Sequence, residues 1–364
     1  MRADGEGATA SGGGAAPAGK ARSRARRVVR RLGSWVVLAV VVEYLVVPQL
    51  AGTRKSWHLL LGVDKAWVLV AVLLEAASLA VYGALTRAML PRAERPGYVT
   101  VLGIDLSTMA ASHVVPAGSA VGLSLGYRLL TQAGVSGPAA VFAKATQSIG
   151  SAIVLNLILW LALVASIPLH GFSPVYGPVA VAGLVLLTAA AVLLILVLRG
   201  NERAVAAVAR QLGRLPRLSG ERVHAAILAA AGHLRAFASD PRRLAVTVLL
   251  AAANWLLDAA ALWACVRAFG HTLGPDGVLV PYGIAAVLAA VPVTPGGLGV
   301  VEASLIPSLV AFSVPRGIAI LGVLAWRAIS FLLPIPVGFG SYLLLQRRSR
   351  PRAALPAPPG RAGG

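Results

Sequence analysis

Five ionisable residues, Glu43, Glu75, Asp258, Glu302 and Arg327, stand inside long apolar stretches of the sequence. A charged side chain at a transmembrane helix centre costs about 2.5–3.5 kcal/mol, so five left unpaired would cost over roughly 10 kcal/mol. They must pair, face a polar interior or carry a proton. Carboxylates and a guanidinium in such a place can do two kinds of chemistry. The arginine fork, with five donors in a plane, suits bidentate binding of a phosphate; buried carboxyls can take up and release protons. Asp258, Glu302 and Arg327 are read as one shared site, or else as a structural buried pair. Glu75 and Glu43, on the first two apolar runs, are read as proton sites or as helix–helix contacts. Lys144 and Arg267 fall within two turns of a membrane edge and are expected to snorkel, which leaves Arg327 as the one basic residue near mid-depth.

A second pattern lies in the backbone. Pro292 to Leu305 reads PVTPGGLGVVEASL. Pro292 and Pro295 remove amide donors and stop a helix, while Gly296, Gly297 and Gly299 permit a tight turn and close backbone approach. A new half-helix is expected near Leu298, its free amides and positive dipole end favouring an anion such as a lipid phosphate. The alternative is a Pro/Gly kink that serves packing only. A similar break, Pro116-Ala117-Gly118, interrupts an earlier apolar stretch that ends near Arg128.

The elements that must position these residues follow from composition. The 364 residues are 57% hydrophobic and 13% charged, with a mean hydropathy of +0.79; a soluble chain carries about 25% charged residues. This is an integral membrane protein. The 33 Lys+Arg against 13 Asp+Glu sit mostly in short segments flanking apolar runs, so they report topology and no nucleic-acid partner is expected. Six runs are long enough to cross a hydrocarbon core about 30 Å thick: Leu32 to Ala51, Ala66 to Ala88, Ala139 to Ile167, Val175 to Leu198, Leu244 to Phe269 and Gly317 to Gln346. The two broken stretches, Tyr98 to Tyr127 and Val278 to Val314, are each too short for two full crossings.

Residues 1–31 and 347–364 read as disordered basic tails, and the membrane part runs from 32 to 346. The arginine-rich segment 199–243 is expected in the cytoplasm as amphipathic helices on the inner leaflet, whereas the loops Pro168 to Pro174 and Gly270 to Gly277 carry no Lys or Arg and belong outside. Both termini are then cytoplasmic. With those sides fixed, Tyr98 to Tyr127 begins and ends inside and Val278 to Val314 begins and ends outside. The expected fold is all-α and polytopic: six transmembrane helices plus two opposed re-entrant hairpins in an inverted repeat, the arrangement secondary transporters use. The alternative is an eight-helix bundle.

The Pro-x-x-Pro-Gly-Gly-x-Gly-x-x-Glu string from Pro292 to Glu302, followed about 25 residues later by Arg327, resembles the transmembrane flippase domain of lysylphosphatidylglycerol synthases and the stand-alone membrane proteins that share it. The resemblance spans roughly Leu32 to Gln346. It implies movement between leaflets of a lipid, often anionic or aminoacylated. Pro295, Gly296, Gly297, Glu302, Arg327 and Asp258, with Pro116, Gly118 and Arg128 at the first break, become the substrate-binding candidates. The first break lacks the basic residue expected soon after its Pro. The aminoacyl-transfer chemistry of the synthases is not expected of this chain.

No Gly-x-x-x-x-Gly-Lys-Ser/Thr loop or His-Glu-x-x-His occurs, and the six histidines, His113 among them, lack ligand spacing. Neither an enzyme, a metal site nor a cofactor is expected. The implied function is a lipid translocase of a bacterial plasma membrane whose partner is a lipid with an anionic headgroup. The alternative is a membrane-embedded accessory subunit for a lipid- or glycan-modifying enzyme.

Overall fold

A computed structural model describes residues 62–114, 118–170, 239–289 and 297–348, with isolated positions at 181, 183–185, 188, 192 and 237. Every regular element among them is helical. They are α1 (Lys65–Met89), a short 3-10 turn (Arg92–Glu94), α2 (Tyr98–Val114), α3 (Gly118–Gln132), α4 (Gly137–His170), α5 (Pro241–Ala268), α6 (Pro275–Ala289), α7 (Val300–Ala311), α8 (Arg316–Arg327), a π-helical segment (Ala328–Leu332) and α9 (Pro334–Arg348). The expected first span, most of the span from Val175 to Leu198, residues 1–31 and 349–364 and most of 199–243 lie outside the described residues, as do Glu43, Pro116, Pro295 and Gly296.

Among the described residues, four stretches are long and apolar enough to cross a membrane: Lys65–Met89, Gly137–Ser166, Pro241–Ala268 and Arg316–Arg347. Each begins and ends within a few residues of the run read from the sequence. Outward-facing leucines such as Leu69, Leu73 and Leu249 are more than half exposed, as lipid-facing side chains must be.

α1 and α5 open alike. Asp64 accepts from Ala66 N and Asp240 from Arg243 N, capping amides that have no partner within their helices. These two helices pack antiparallel along their whole length: Asp64 N donates to Ala268 O at one end, and Arg243 donates to Ala88 O, Met89 O and Leu90 O at the other. Arg95 adds bonds to Ala88 O and Leu90 O, so two guanidinium groups cover the negative end of α1. The opposite end carries Trp67 edge-on to Trp263, with Arg267 over the Trp67 ring.

The helix order of α1 to α4 recurs in α5 to α9: a long helix, two shorter ones packed on each other, then a long one. Two further glycines lie at helix contacts. Gly283 of α6 faces the Leu159 side chain of α4, and Gly338 of α9 faces the Leu106 backbone carbonyl of α2. Each lets two helices approach closely, the usual role of small residues at helix contacts in membranes.

Candidate functional site

Arg327 and Glu302 are brought together. Arg327 Nε donates to Glu302 Oε1 at 2.8 Å, and Glu302, 3% exposed, accepts Gly299 N–H on its other oxygen at 2.7 Å. Glu302 therefore caps its own helix. This corrects one expectation: the Gly299 amide at the α7 start is not offered to a lipid phosphate, because the Glu302 carboxylate already occupies it. α7 begins at Val300 on a left-handed Gly299 (φ 81°), and Gly297 is also left-handed (φ 68°) with Ala289 Cβ and Val301 Cγ2 beside its Cα.

The guanidinium also lies over the Phe331 ring, 4.6 Å from its centroid. His113 also stacks on that ring, at 4.2 Å, and its Nδ1 donates to Phe331 O. Phe331 belongs to the π-helical segment. Pro334 and Pro336, which supply no amide, follow directly, and one-turn π distortions of this sort recur at functional positions. His113 stands three residues before Pro116, and Glu302 five after Gly297. Arg327 and Phe331 thus lie where the end of α2 and the start of α7 meet. His113 was missed by a search for ligand spacing, because its partner is 218 residues away.

Asp258 sits in a second cluster beside the first. Tyr282 Oη donates to its Oδ2 and Trp326 Nε1 to its Oδ1, each at 2.7 Å. The Glu75 carboxyl, 5% exposed, is within hydrogen-bonding reach of Asp258. The expected single site of Asp258, Glu302 and Arg327 is therefore two adjoining clusters, joined through the consecutive residues Trp326 and Arg327.

A third cluster corrects the reading of Lys144. It does not snorkel: it is 8% exposed and ion-paired with Asp105, itself 2% exposed. Gln147 accepts from Lys144 and donates to Thr86. Gly126 of α3 makes room, since a Cβ there would press on the Lys144 stem at 3.1 Å. Among the described residues, Arg327 and Lys144 are thus two largely enclosed cations, each ion-paired. Each half carries one, on its last long helix, paired to a carboxylate on the preceding short pair. Gly118 opens α3 against the Ser112 carbonyl, where any side chain would collide. Arg128 is exposed and stands apart, beside Gln132, Tyr342 and Gln346 in a shallow surface pocket.

Long apolar helices with buried ion pairs between them define a polytopic integral membrane protein. Its residues 32–338 match the lysylphosphatidylglycerol synthase TM region, and the chain belongs to that family. Two relatives are the inner membrane protein YbhN of Escherichia coli (strain K12), 28% identical over 103 residues, and the UPF0104 membrane protein MJ1595 of Methanocaldococcus jannaschii, 26% identical over 102. Each alignment covers 28% of this chain, and 31% and 30% of the respective relative.

Proposed function

We propose that this protein is a lipid translocase that carries an anionic headgroup past Arg327, without chemistry of its own. The observation that carries this reading is the convergence of the end of α2, the start of α7 and the π-helical segment on one buried guanidinium. Irregular backbone survives at membrane depth only where protein or a watered cavity surrounds it. The antiparallel packing of the corresponding helices α1 and α5 supports an inverted repeat, with α2–α3 and α6–α7 as opposed re-entrant hairpins. Orientation follows from Arg87, Arg92, Arg95, Arg242 and Arg243, which gather at the end of the α1–α5 pair that we place in the cytoplasm.

The test is the full chain in vesicles containing fluorescent anionic or zwitterionic phospholipid, with a membrane-impermeant quencher outside. Protein-dependent quenching of the inner-leaflet probe, faster for the anionic lipid and lost in Arg327→Ala, is expected. Quenching no faster than in empty vesicles points instead to the accessory-subunit role.

A further inference from the structure

We infer that Glu75 and Asp258 form a proton-binding site whose loading drives the movement of the lipid; this rests on the translocase reading above. The two residues stand on α1 and α5, the corresponding antiparallel helices, each about one turn from the place where Ser78 and Asn254 are bonded across the pair.

Hydrogen-bond accounting locates the proton. Ionised carboxylates only accept, so two carboxyls can bond to each other only if one carries a proton. Asp258 already receives a donor on each oxygen, from Tyr282 and from Trp326, which is the environment of an ionised group. Glu75 is its opposite. It is 95% buried and its Oε2 has no hydrogen-bond partner among the described residues. As a neutral acid, Glu75 donates its O–H to Asp258 and leaves a bare carbonyl oxygen, a tolerable loss. As a carboxylate it would set a second buried charge beside Asp258, with one oxygen that no described residue satisfies.

The groups facing this pair come from three helices. α5 presents Asp258 and Cys265, α6 presents Tyr282, and α8 presents Arg327 on the far side of Asp258. Lys144 of α4 and Asp105 of α2 face Tyr82, about two turns further along α1. The link to the lipid site is short. Trp326 holds Asp258 and the next residue, Arg327, holds Glu302, so any shift of α8 that frees the guanidinium for a headgroup also loosens the donor that keeps Asp258 ionised. With that donor loosened, Asp258 takes up one proton from water while Glu75 keeps its own, and the pair returns that proton to water when Arg327 closes again on Glu302. The step moves one proton and changes no oxidation state.

The experiment uses the full chain in vesicles of zwitterionic phospholipid doped with a fluorescent anionic phospholipid, under an imposed pH gradient of either sign. With one proton per lipid, a gradient of about one pH unit should shift the steady-state leaflet ratio of the probe up to about tenfold, and reversing the gradient should reverse the shift. Glu75→Gln should move the probe to an even distribution whatever the gradient. Infrared spectra of the purified wild-type protein at neutral pH should show a protonated-carboxyl band that Glu75→Gln lacks. Wild-type protein that moves the probe with no response to the gradient overturns the proton inference and leaves the translocase reading intact. Wild-type protein that moves no probe overturns both. Where Glu75→Gln does not fold, a wild-type infrared spectrum without a protonated-carboxyl band overturns the assignment to Glu75.

Discussion

Ser78 and Asn254 are bonded to each other in both directions where α1 crosses α5. Ser78 Oγ donates to the Asn254 carbonyl at 3.0 Å, and Asn254 Nδ2 donates to Ser78 O at 3.2 Å and Ser78 Oγ at 2.7 Å. This pair fixes the middle of the α1–α5 contact, between the Asp64–Ala268 bond at one end and the Arg243 bonds at the other. Glu75 and Asp258 lie about one turn from it.

Asn254→Leu should therefore weaken the crossing more than its area suggests. It removes the two bonds that Asn254 Nδ2 donates to Ser78 O and Oγ, leaving only the Ser78 hydroxyl's bond to the backbone carbonyl of residue 254, and puts a branched side chain where the helices touch. Interhelical hydrogen bonds in membranes are worth about 0.6 kcal/mol each, up to about 1.7. A loss of roughly 1–2 kcal/mol is expected, read as a lower thermal midpoint in detergent. A midpoint equal to wild type would show that the crossing is held by packing alone.

Gly297 and Gly299 make a controlled comparison. Both have a left-handed backbone, which costs an L-residue roughly 1–2 kcal/mol. Only at Gly297 is the space also taken, with Ala289 Cβ 3.0 Å and Val301 Cγ2 3.2 Å from an added Cβ, while nothing lies within 4 Å at Gly299. Gly297→Ala should lower the midpoint more than Gly299→Ala, and Gly297→Leu more again with loss of lipid movement. Equal midpoints for the two alanine variants would mean that the α6–α7 contact yields freely.

The ends of α1, α4, α5 and the α8–α9 run were legible from hydropathy, because length and apolarity alone decide what can cross a bilayer. The proximity of Glu302 and Arg327 was legible too, since each is costly inside a membrane without a partner. What spacing did not record is who satisfies whom. Asp105 hid in a short apolar stretch that reads as one arm of a break, and Lys144 looked close enough to a helix end to reach water. Tyr282, Trp326 and His113 are ordinary residues in the sequence. They act through partners 24, 68 and 218 residues away, which only the packed helices bring near. The self-capping of α7 by Glu302 carried a recognisable sign: an acidic residue three positions after Gly299, the spacing of a capping box.

The Asp105–Lys144 pair yields a prediction of its own. Removing one partner of a buried ion pair costs about 3–5 kcal/mol, whereas neutralising both is often tolerated. Lys144→Met should lower the yield of folded protein sharply, Asp105→Asn similarly, and the double variant should recover most of it. Failure of the double variant to recover would assign Lys144 a second essential partner, with Gln147 the first to test.

Orientation can be checked by labelling. In a Cys265→Ala background, a cysteine at His271, in the loop between α5 and α6, should react with a membrane-impermeant thiol reagent added outside intact cells. One at Arg92, between α1 and α2, should react only after the membrane is opened. The reverse pattern would invert the assignment of the arginine-rich end to the cytoplasm.

Arg327 is where the structural and functional readings divide. Its Nε holds Glu302, and Glu302 in turn holds the first amide of α7, so Arg327→Met should strand a buried carboxylate and destabilise the protein by about 3–5 kcal/mol. Combining it with Glu302→Gln removes that charge while the glutamine oxygen still accepts Gly299 N–H. Folding should return. Combining it instead with Asp258→Asn should not restore folding, because the Asp258 oxygens are already taken by Tyr282 and Trp326. Lipid movement then separates the roles. If the guanidinium holds the headgroup, the folded Arg327→Met/Glu302→Gln protein moves no lipid, and Arg327→Lys, which keeps the charge but loses the fork, moves it slowly. Full lipid movement by the double variant would confine Arg327 to tying α8 to α7.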